Sequence, residues 1–233
     1  MSERLPVAIL AGGLATRLRP ITERIPKALV EINGEPFISH QLRLLHARGI
    51  RRVVLCLGYL GEMVRQFVGD GRAFGLQVEY SFDGPVLRGT AGAIHQALPL
   101  LGPAFFVLYG DSYLPCDYTK VEEAFVQSEK KGLMTVFGND GQWDSSNVEF
   151  VEGRILAYDK ENRTPRMCHI DYGLGVFDRH VFQSLEPGSV HDLAATYQDL
   201  LARNELAACE VKERFYEIGS AAGIEELSQA LKQ

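Results

Sequence analysis

Val7-Ala8-Ile9-Leu10-Ala11-Gly12-Gly13-Leu14-Ala15-Thr16-Arg17-Leu18-Arg19-Pro20 decides how the chain is read. Val7 to Leu10 are apolar without a polar break. Such a run predicts a strand covered on both faces, as in a parallel sheet packed between helices. Gly12-Gly13 ends it, because residues without a Cβ let the chain turn sharply and let another group approach the backbone. Arg17 and Arg19 follow closely, so the turn leads into a basic loop.

Outward from this strand, helical and extended segments alternate. Ile38, Leu42 and Leu45 recur at helical spacing over 37–48, and Gly49 stops the helix. Residues 52–57 are rich in β-branched and apolar types and predict a second strand. Further expectations are a helix at 60–68, a strand at 76–82, a helix at 90–98, a strand at 105–109, a helix at 121–131 and a strand at 133–137. This order argues for βαβ units and a largely parallel sheet. Past residue 140 the pattern changes to strands at 148–151, 155–158 and 174–177 with few long helices between them. Antiparallel additions over one end of the sheet are expected there, with helices returning at 192–202 and 224–231. No repeat, low-complexity tract or linker interrupts the chain, so one α/β domain over 1–233 is expected.

Composition narrows the function classes. With 46% hydrophobic and 23% charged residues the chain is an ordinary globular protein, not a disordered or fibrous one. The net charge of -6 and the lack of a Lys/Arg block argue against a nucleic-acid partner. No run approaches the ~20 apolar residues that span a bilayer, and the apolar N-terminal run is too short for a secretory signal. Cys56, Cys116, Cys168 and Cys209 have no C-x-x-C spacing, which disfavours structural zinc and suits a reducing cytoplasm. Cys56 and Cys209 sit in apolar runs and read as small core residues.

In open α/β sheets ligands gather beyond the carboxyl ends of the strands, so the residues there are the candidates. Gly12 and Gly13 could bring backbone N–H groups to a phosphate, with Arg17 and Lys27 as cationic donors. Alone, a Gly-Gly turn is more often just a turn. Gly89 to Gly92 would open a helix whose unpaired N–H groups a ligand could use. Asp111, at the end of a buried strand, has the hard oxygens that Mg²⁺ prefers. Neither phosphate-loop nor dinucleotide glycine fingerprint is present.

Gly12-Gly13-Leu14-Ala15-Thr16-Arg17-Leu18-Arg19-Pro20, followed by Pro26-Lys27, resembles the G-G-x-G-T-R-L-x-P and P-K signature of the sugar-1-phosphate nucleotidyltransferases. In length the chain is similar to the short bacterial members, such as heptose-1-phosphate and mannose-1-phosphate guanylyltransferases. The resemblance implies a Rossmann-like nucleotidyltransferase domain, with 1–140 mainly the nucleotide-binding half and 141–233 mainly the sugar-phosphate half. It implies NTP and a sugar 1-phosphate as substrates, guanine as the first choice of base, and Mg²⁺ as cofactor. Leu10, Ala11, Gly12 and Gly13 would meet the nucleotide, Arg17 would hold the departing pyrophosphate, and Lys27 would neutralise the α-phosphate. Leu87-Arg88-Gly89-Thr90-Ala91-Gly92 resembles the family's base-and-ribose segment, with Arg88, Gly89, Thr90 and Gly92 as contacts. Asp111 and Glu217 would be the metal ligands, Glu217 replacing the usual aspartate. Asn147, Asp159, Lys160, Asp171, Tyr172 and Gly173 would serve the sugar phosphate, Asp171 meeting hydroxyls and Tyr172 covering a ring face. Ala15 stands where the family has glycine, and departures concentrate on the sugar side, which implies an acceptor unlike the common hexose phosphates. Two rivals remain open: a non-catalytic nucleotide sensor of the same fold, and a cytidylyltransferase acting on a phosphate such as phosphocholine. Self-association is also left open, and no membrane partner is expected.

Overall fold

The computed structural model describes residues 4–139 and 141–232, so the expected division at residue 140 touches a position outside the described residues. Strand β1 (Val7–Ala11) leads through a basic loop and a hairpin of β2 (Glu31–Ile32) and β3 (Glu35–Pro36) into α1 (Phe37–Ala47). Next come β4 (Arg52–Leu57), α2 (Gly61–Val68), β5 (Gln77–Phe82), α3 (Gly89–Ala97), β6 (Ala104–Tyr109), β7 (Ser112–Tyr113), α4 (Tyr118–Ser128) and β8 (Gly132–Gly138). The second half holds β9 (Val148–Val151), β10 (Arg154–Tyr158), β11 (His169–Asp178), α5 (His180–Gln183), α6 (Leu193–Ala202), β12 (Leu206–Val211), β13 (Tyr216–Glu217) and α7 (Ala221–Ala230).

Nine strands form one sheet. Its first half is β5-β4-β1-β6, all parallel. Strand β11 then runs antiparallel to both β6 and β8, and β12 joins β8 in parallel. The β9-β10 hairpin extends the sheet from the start of β11. Only β10 and β11 run against the other strands, so the mixed, mostly parallel α/β class expected from the sequence is what forms. Alternate strand residues enter different cores. Ile9, Leu55 and Leu108 pack with Leu42 of α1 and Val64 of α2, while Ala8, Cys56 and Val107 pack with Ile94 of α3 and Leu200 of α6. Helices on both faces are why these strands carry no polar alternation.

Local chemistry moves some boundaries. The helix expected at 121–131 begins earlier, because Asp117 caps α4 by accepting from the Thr119 and Lys120 N–H groups. It ends where Glu129 turns left-handed at φ 54. Strand β11 is ten residues long, not the four at 174–177, because its start also pairs with β8 and β9. Strand β12 was not expected; its Leu-Ala-Ala-Cys-Glu-Val is only half buried, as an edge strand allows. No helix among the described residues is long and apolar enough to cross a membrane. Cys56 is buried beside Asp83 and its thiol is pushed up to about 12, so it is an inert core residue as expected.

Candidate functional site

The ends of β1, β4, β5 and β6 surround a cleft of ≈ 250 Å³ lined by Leu10, Ala11, Gly12, Gly13, Ala15, Lys27, Asp83, Leu87, Gly89, Thr90, Tyr109, Gly110 and Asp111 among others. Its two leading glycines do different things. A Cβ on Gly12 would stand 3.0 Å from the Gly58 backbone nitrogen, so Gly12 lets the β1 and β4 turns press together. A Cβ on Gly13 would meet nothing within 4 Å, so the backbone there is open to the cleft. Ala15 adopts the left-handed region at φ 49, which explains why glycine would suit it better. Thr22 Oγ1 and the Leu18 N–H both donate to the Ala15 carbonyl and hold it there, at 2.8 and 3.1 Å.

Lys27 and Asp111 line one end of the cleft, and Glu217 with Arg17 lies close enough for these four charges to act on one another. Lys27 Nζ donates to Asp111 Oδ2 at 2.8 Å, and both side chains are mostly covered. Asp111 follows Gly110, where a Cβ would stand 2.6 Å from the Leu10 carbonyl oxygen, so only glycine lets the turn lie that close. The short pairing of β7 with β13 sets Glu217 opposite Ser112, and the Ile218 N–H donates to the Asp111 carbonyl at 3.0 Å. Although Glu217 touches solvent, the protein crowds its carboxyl, and with repulsion from Asp111 and Asp144 this pushes its pKa up to about 7 against the pull of Lys27 and Arg17. The Arg17 guanidinium lies against Gly219, 3.2 Å from where a Cβ would stand. The Asp111 and Glu217 carboxylates thus lie near enough for the charge of the first to oppose ionisation of the second. Among the described residues no three His, Cys, Asp or Glu side chains are grouped so as to hold a metal ion by themselves. A cation here would need its other ligands from phosphates and water, which fits Mg²⁺ better than an all-protein cage.

The start of α3 is not the open helix end expected. The His191 carbonyl accepts from the Ala91 and Gly92 N–H groups at 3.0 and 3.4 Å, and Thr90 Oγ1 accepts from the Leu193 N–H at 2.7 Å. Gly89, at φ +71, is glycine because a Cβ would meet the His191 oxygen at 2.4 Å. Gly89 and Thr90 still line the cleft, but Gly92 faces Ser189 instead. Arg88 is also turned away: its Nε donates to the Asp83 carbonyl at 2.9 Å, so it braces a loop rather than reaching the cleft. Sequence reading missed Asp83, which is buried at the end of β5 and faces the cleft. Burial raises its pKa, offset by the Arg88 N–H and guanidinium. An acidic residue just past a predicted strand was the available signal.

On the acceptor side, the ladder of β11 with β8 slips between Asp171 and Gly175. The bulge re-aims the side chains it contains. Tyr172 therefore points into the core, 1% exposed, against Phe137 and Phe215, and cannot cover a sugar ring. Asp171 turns the other way, accepting from Tyr158 Oη at 3.3 Å and the Gly173 N–H at 3.1 Å, while Asn147 Oδ1 accepts the Asp171 N–H at 2.9 Å. Burial raises the Asp171 pKa and nearby Lys160 opposes the rise. Lys160 Nζ lies 5.3 Å from the centre of the Tyr109 ring, and Tyr109 lines the cleft, so these residues join the two halves. Gly173, at φ +94, packs its α-carbon face on Tyr109. Asp159 does not join them; its carboxylate accepts from the Glu161 and Asn162 N–H groups, both at 2.8 Å, and is committed to that turn.

A cleft at the carboxyl end of a doubly covered sheet, edged by a basic loop and paired carboxylates, defines an α/β protein suited to phosphorylated ligands. The chain belongs to the nucleotidyl transferase family, whose sequence pattern matches residues 7–154. It is 29% identical over 236 residues to the N-acetylmuramate alpha-1-phosphate uridylyltransferase of Neisseria meningitidis serogroup B, covering 96% of each chain. It is 27% identical over 212 residues to the D-glycero-alpha-D-manno-heptose 1-phosphate guanylyltransferase of Campylobacter jejuni, covering 91% of this chain and 93% of that one. Its fold is that of HddC from Yersinia pseudotuberculosis, solved with GMP-PN: TM-score 0.81, 23% identity, 98% of this chain and 100% of that chain covered.

Proposed function

We propose that the cleft transfers a nucleoside monophosphate from an NTP to a sugar 1-phosphate and releases pyrophosphate. The convergence of Arg17, Lys27, Asp111 and Glu217 carries this reading. A phosphate oxygen of the acceptor forms a bond to the α-phosphorus while the bond to the pyrophosphate oxygen breaks. No protein nucleophile is required; positioning and charge stabilisation suffice. Lys27, beside Asp111, would meet the α-phosphate, Arg17 would hold the departing pyrophosphate, and Lys160 would hold the acceptor phosphate. Asp111 and Glu217 would hold Mg²⁺, which when bound neutralises phosphate charge and orients the reacting oxygens. The segments 1–140 and 141–233 would supply mainly the nucleotide and the acceptor sites.

The roles of the relatives support a sugar 1-phosphate, since those named above act on N-acetylmuramate and heptose 1-phosphates. Burial of Tyr172 removes the aromatic wall that a phosphocholine cation would want, so that acceptor is less suited. A purely sensing role would not need Arg17, Lys27 and Asp111 together. Asp83 supports guanine: guanine presents two neighbouring donors, N1–H and the 2-amino group, to a carboxylate, whereas uracil presents one. Asp83→Ala is expected to lower kcat/KM with GTP by about 10-fold or more, as loss of a hydrogen bond to a charged group does, and UTP less. A grid of four NTPs against a panel of sugar 1-phosphates, read by pyrophosphate release, tests the whole reading; silence across the grid would contradict it.

A further inference from the structure

Gln41 of α1 is 0% exposed, yet it carries a carboxamide that no part of the reaction above uses. Its Nε2 donates to the carbonyl oxygens of Tyr109 at 3.2 Å and Ser112 at 2.8 Å. Two acceptors at one end fix which end of the amide is nitrogen, because the flipped group would set oxygen against both. Its Oε1 is buried with no partner. An unpaired buried acceptor is destabilising, so an apolar side chain would serve packing better unless the two N–H bonds matter.

The two carbonyls bracket Gly110-Asp111. This segment lies beyond the last pairing of β6, Tyr109 with Leu10, and before the two-residue β7. Ser112 is also the residue opposite Glu217, and the Asp111 carbonyl accepts from Ile218. A single amide thus grips the backbone that carries Asp111 and the strand against which Glu217 is registered.

We propose that Gln41 is a positioning residue that sets the spacing of the Asp111 and Glu217 carboxylates and thereby the site's affinity for a divalent cation. The proposal rests on the reading of that pair as a cation site. Gln41→Met keeps length and removes both donors. Mn²⁺ binding is measured by electron paramagnetic resonance on the protein saturated with a non-hydrolysable GTP analogue. Wild type with the analogue is expected to hold Mn²⁺ more tightly than the analogue alone does, Asp111→Asn to lose that gain, and Gln41→Met to bind Mn²⁺ about 10-fold or more weakly than wild type, as removal of an outer support of a metal ligand does. Metal-free binding of the analogue should stay near wild type in Gln41→Met. Wild-type Mn²⁺ affinity in Gln41→Met would overturn the proposal, as would equal loss of Mn²⁺ and metal-free analogue, which is general damage. Equal Mn²⁺ binding by wild type and Asp111→Asn would instead remove the cation reading and this proposal with it. Should Gln41→Met not fold, the wild-type side-chain amide decides. Its N–H signals are expected to be protected from exchange and to shift when Mg²⁺ joins the nucleotide complex; exposed, unmoved signals would overturn the proposal.

Discussion

Glu217 holds a carboxyl that crowding by the protein, and then the charges of Asp111 and Asp144, make readier to keep its proton. Folded and metal-free, it releases that proton only near about 7. Unfolded, it would release it in the ordinary carboxylate range. The proton therefore favours the folded chain below the ordinary range, and the benefit is lost as pH rises through about 7. Two outcomes are expected. Apparent Mg²⁺ affinity should rise with pH across that window, because the cation must displace the proton. Glu217→Gln should melt at a higher temperature than wild type in metal-free buffer at about pH 8 and near wild type at about pH 5, with solvent contact limiting the gain. A flat pH profile of affinity would mean Glu217 does not bind the cation. The same scale shows what the sequence made legible. Arg17, Lys27 and Asp111 could be read as candidates because Arg17 and Lys27 belong to one ordered motif after β1 and Asp111 follows the end of β6. Tyr172 could not, because a bulge inverts which face a side chain takes, and the residue string does not reveal where a ladder slips.

At the scale of elements, the start of α3 is closed by the 188–192 segment rather than held open for a ligand. Gly89 and Gly92 were legible as small residues, but their reason was not, since the packing partner lies about a hundred residues on in sequence. Gly89→Ala is expected to destabilise by about 1–3 kcal/mol, both from the left-handed φ and from collision with the His191 carbonyl. Melting should drop by about 2–4 °C for each kcal/mol in a chain of this size. An unchanged melting temperature would show that the segment yields freely. At the other edge, a Cβ on Gly223 of α7 would lie 2.0 Å from the Glu217 carbonyl oxygen. Gly223→Ala should displace β13 and weaken Mg²⁺ binding more than NTP binding, measured by titration calorimetry; equal affinities would separate α7 from the site.

Across the whole molecule, strands buried on both faces gave the fold away, because only a sheet sandwiched by helices accepts such unbroken apolar runs. The opposed strand β11 and the edge strand β12 were harder to read, since their pairing is long-range and their half-buried residues leave a weak pattern. The one arrangement on which the function depends is that this sheet brings the basic loop of β1 and the carboxylate after β6 to the same place, with Lys27 on Asp111 at 2.8 Å. The direct measurement is pyrophosphate release with the best NTP and sugar 1-phosphate pair, compared among wild type, Lys27→Ala and Asp111→Ala. Release in wild type that requires the sugar phosphate, with kcat lower by about 10² or more in each variant, is the predicted result. Turnover in either variant close to that of wild type would contradict it.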